Sequence, residues 1–205
     1  MSQDSKLFVS PEAFFEEEVK KGLAHRKIKT YPSVEKYLID LLQHYLDAKN
    51  LFNAVNVPEG QKPPQTLAEL YMTALSADQP MRRELLKTLA DRSLYISGFF
   101  ADSLDRKVID VDYYVNMGTA AYAELARNTK EDLTAKVYVT FSSRFVDFVD
   151  VLTFISQNTQ VTNNQNLLRL YDRYMKTGSN LAKEKLIEMG LLNLHPDQVK
   201  KSRQF

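Results

Sequence analysis

From residue 81 to residue 195 the chain contains no proline. Proline is the residue that most reliably breaks a helix, and no Asn-Gly or Asp-Gly pair is present to turn a hairpin, so long helices are allowed and no β-ribbon is called for.

Apolar residues at spacings of three and four then mark the helices one by one. Ser10 before Pro11 reads as a cap and first helical position, opening a helix that runs to about Leu23. Val34, Tyr37, Leu38, Leu41, Leu42 and Tyr45 form the clearest stripe, with Ser33 as the expected cap. Thr66 and Glu69 form a capping box ahead of Leu67, Leu70, Tyr71, Ala74 and Leu75. Asp78 with Pro80 opens a helix carrying Met81, Leu85, Leu89 and Ile96, and Asp110 is expected to cap one that ends near Asn128. The run Val137-Tyr138-Val139-Thr140-Phe141 has strand propensity, but recurrence through Phe145, Phe148, Leu152 and Ile155 over 135–156 decides for helix. Two further helices are expected, one around Leu167 to Met175 and one over 180–189. The predicted fold is an all-α, single-domain bundle of seven to nine helices over 1–205, with polar ends at 1–9 and 195–205.

Composition narrows the chemistry. With no Cys there is no thiolate, and His25, His44 and His195 stand too far apart to suggest a ligand set, so neither metal nor cofactor is expected. A net charge of +1 offers no global field for nucleic acid, and the uncharged stretch 151–168 is too polar to span a bilayer. No secretory leader is visible in the first ten residues, so the expected location is cytoplasmic. Ser33-Val34-Glu35-Lys36 and Lys176-Thr177-Gly178 match two penicillin-binding motifs in letters only, since both fall on helix ends where that chemistry needs a sheet. The basic run Lys20, Lys21, His25, Arg26, Lys27 and Lys29 follows Glu16, Glu17 and Glu18, which complements a helix dipole.

The richest segment is 91–122, with two Gly, two Phe, four Tyr and charges of both signs. A helical wheel puts Arg92 inside the stripe of Leu85, Leu89, Ile96 and Phe99, where an arginine needs a partner such as Asp102 or Asp112. Asp102, Asp105, Asp110 and Asp112 form an acidic cluster that lacks the grammar of a calcium loop. Gly118 interrupts the stripe of Tyr114 and Tyr122 as a gap for close helix approach, while Tyr113 points the other way. The candidate binding residues are therefore Arg92, Phe99, Phe100, Asp102, Arg106, Asp112, Tyr113, Tyr114, Gly118 and Tyr122. Aromatic residues on two faces suggest a non-enzymatic interaction or regulatory protein that engages a protein partner through 91–122. The alternatives are a sensor holding a small, partly apolar anion in an aromatic cavity with Arg92 as anchor, and a carboxylate-dependent enzyme supported by the aspartate cluster alone.

Overall fold

A computed structural model describes residues 10–47, 49–52, 55, 64, 66–100 and 111–159, together with positions 174, 179 and 183. Among the described residues there are eight helices and no strand, and the all-α expectation holds. They are α1 (Pro11–His25), α2 (Pro32–Leu46), α3 (Lys49–Phe52), α4 (Leu67–Ser76), α5 (Gln79–Phe99), α6 (Val111–Asn128), α7 (Asp132–Ser143) and α8 (Phe145–Thr159). The expected helices around Leu167 to Met175 and over 180–189, and the cap at Asp110, lie outside the described residues.

Local chemistry sets most of the boundaries. Ser10, Thr66 and Asp78 each accept a backbone N–H through the side chain, at 3.2, 3.1 and 3.4 Å, satisfying donors that the first turn leaves orphaned. Ser33 does not cap α2. The helix starts at Pro32, whose fixed φ and missing N–H suit the first helical position, so the cap moves back to Tyr31, which makes no side-chain cap bond. At the end of α1, Lys27 sits at φ 55 and Ile28 N–H reaches the Leu23 carbonyl at 2.9 Å, closing the helix with the paired turn usually built on glycine. The stretch expected as one helix over 135–156 is two, separated at Arg144, whose guanidinium bonds Asp147 at 2.8 Å and the Lys29 carbonyl at 3.0 Å.

Helix α5 is the centre of the assembly, with α4, α6 and α8 packed around it. Helix α7 lies on α6 and reaches α2, and α1 closes the bundle against α2 and α8. The core runs through all of these, from Val19, Val34 and Leu38 to Leu85, Leu94, Leu125, Phe148 and Leu152. From Ser93 to Phe100 every residue of α5 and its end is buried, so the helix is enclosed on all sides there. Two glycines make this possible. A β-carbon at Gly98 would overlap Leu152 of α8, and one at Gly118 would run into the Phe145 ring, so both crossings are closer than any other residue allows.

Ser93 faces Gly118 in this crossing, and its buried hydroxyl has no hydrogen-bond partner among the described residues. Leaving a buried hydroxyl unsatisfied costs about 1–3 kcal/mol, so Ser93→Ala is expected to stabilise the fold by about 1 kcal/mol. A rise in the urea midpoint at constant slope would show it; a fall would mean that the hydroxyl has a partner.

Candidate functional site

The most concentrated polar chemistry among the described residues lies inside the bundle, at Asp91 in the middle of α5. Asp91 is 6% exposed, and its carboxylate meets three donors. Tyr37 of α2 and Tyr122 of α6 both donate to Oδ1, at 2.6 and 2.7 Å, and Lys87, one turn back on α5, donates to Oδ2 at 2.5 Å. Three helices are thus tied to one side chain. The Lys87 side chain is half exposed, and its ammonium stands 5.2 Å from the centroid of the Tyr37 ring. Helix α7 supplies the apolar wall: Phe141 stacks on Tyr122 at 5.1 Å between centroids and lies 5.0 Å from Tyr37, while Tyr138 stacks on Tyr122 at 6.0 Å.

This arrangement gives a buried carboxylate three partners of the right kind, because carboxylate oxygens accept and all three neighbours donate. Burial, followed by the charge of Asp91, pushes the Tyr37 and Tyr122 phenols well above their ordinary value of 10.0. For Lys87 burial works against the charged form, but the charge and hydrogen bond of Asp91 outweigh it and raise the lysine above its ordinary value. In the folded chain the phenols keep their protons to higher pH than in the unfolded chain, so above pH 10 the folded state binds the excess protons. Stability is therefore expected to be unaffected by these phenols up to about pH 10 and to fall as the pH rises beyond it. Urea midpoints measured from pH 8 to 11 test this, and a flat profile would mean that the phenols are not held as described.

The residues singled out by sequence fall into two groups on either side of α5. Arg92 is partly covered and stands near Tyr45, whose phenol burial pushes up and the Arg92 charge pulls back down. Tyr45 stacks on Tyr95 at 4.7 Å, and Tyr95 on Phe99 at 4.7 Å with Phe100 edge-on at 5.9 Å, which makes a buried aromatic column. Tyr122, Tyr114 and Gly118 are buried on the α6 side. Tyr113 is partly covered, and its hydroxyl oxygen accepts the Ala68 N–H of α4 at 3.1 Å, so it docks one helix onto another. Asp112 is exposed on α6. Asp102 and Arg106, with Asp105 and Asp110 of the acidic cluster, lie outside the described residues. Among the described residues no group of three or more His, Asp or Glu is placed to hold a metal ion.

No protein-family model matches this chain, and no curated protein or solved structure matches it either.

Sequence reasoning missed Asp91 and Lys87 and treated Tyr37 as plain core. The signal was present: the uncharged run 93–100 announces a helix enclosed on all sides, and an acid two residues before it must share that enclosure and find donors.

The outer surface shows the opposite pattern at the junction of α7 and α8. Tyr31, Val139 and Val146 are 64%, 54% and 56% exposed. Tyr37 of α2 packs against Tyr138 and Phe141 of α7, and the Arg144 bond to the Lys29 carbonyl ties the turn before Tyr31 to the junction before Val146. Part of the basic run is taken up in ion pairs instead, Lys20 with Glu16 and Lys21 with Glu17 and Glu18 within α1, and Arg26 with Asp150 of α8. Among the described residues no helix is long and apolar enough to cross a membrane.

Proposed function

We propose that the chain is a non-enzymatic interaction protein that takes a cytoplasmic protein partner on the face formed by Tyr31, Val139 and Val146. What supports this reading is the exposure of these three large apolar side chains, on the turn before α2, on α7 and at the start of α8, with the Arg144 bond to the Lys29 carbonyl joining the first of these segments to the α7–α8 junction, since exposed apolar surface marks interaction sites. The 91–122 surface is less favoured, because its described aromatics either pack inward or, like Tyr113, dock a neighbouring helix. Asp91 and its phenols fit this reading as the device that fixes how α2, α5 and α6 meet, and so keeps the outer face in one shape.

A photo-crosslinking residue placed at Val146, with one at exposed Asn116 on α6 as comparison, tests the reading in the native host. Discrete adducts from position 146 and none from 116 are expected. Adducts from 116 alone would return the partner to the 91–122 surface, and adducts from neither would remove the interaction reading.

A further inference from the structure

We draw no further inference here: the strongest candidate, the outward face of α4 where Met72 and Leu75 are 64% and 37% exposed, is an apolar surface patch, and nothing in the structure shows what covers it.

Discussion

Asp91→Ala is expected to destabilise the fold by about 3–5 kcal/mol, toward the lower end of that range. Three donors converge on this carboxylate, at 2.6, 2.7 and 2.5 Å, and the substitution removes their common acceptor. Tyr122 is fully buried and has no route to water, so its hydroxyl bears the full cost of being left unsatisfied. Lys87 is half exposed and can turn its ammonium into solvent, which limits the loss from the broken ion pair. Asp91→Asn keeps an acceptor for one phenol and should cost about half as much. Urea unfolding followed by circular dichroism measures both. A loss below about 1 kcal/mol for Asp91→Ala would mean that water reaches the site and that the network holds little together.

Tyr122→Ala is expected to cost about 3–5 kcal/mol, the range for deleting a large buried aromatic. Its ring packs among Tyr37, Tyr138, Phe141 and Phe145, and the void would open at the meeting point of α2, α6, α7 and α8. Tyr122→Phe removes only the hydroxyl and leaves Asp91 with Tyr37 and Lys87, so about 1 kcal/mol is expected there. The gap between the two variants separates packing from hydrogen bonding. Had Tyr122 served as a contact for a partner, truncation would have spared stability; near-wild-type stability of Tyr122→Ala would therefore contradict the buried placement.

Much of the fold was legible because helix signals are local. The caps at Ser10, Thr66 and Asp78 and the stripe from Val34 to Tyr45 depend on residues within a turn or two of each other. Pro32 overrode Ser33 because a proline's fixed φ is a stronger start signal than a serine hydroxyl. The break at Arg144 was not legible, since the Lys29 carbonyl that its guanidinium bonds is 115 positions away. The same holds for the site. Tyr114, Gly118 and Tyr122 were correctly placed on one stripe, but whether a stripe of aromatics is a core or a docking face depends on what covers it, and that is set by α5 and α7. Arg92 was expected to meet an aspartate such as Asp102 or Asp112; Asp102 lies outside the described residues, and Arg92 acts on the buried Tyr45 phenol of α2, across a helix pair with no local sequence link.

Asp91 and Tyr122 act as one unit that fixes α5 against α6. A double-mutant cycle with Asp91→Asn and Tyr122→Phe tests it most directly, because neither change opens a void and the cycle isolates the pair. Coupling of about 1 kcal/mol or more is predicted for groups in direct hydrogen-bond contact. Losses that add to within about 0.3 kcal/mol would contradict the account, since two independent residues behave that way.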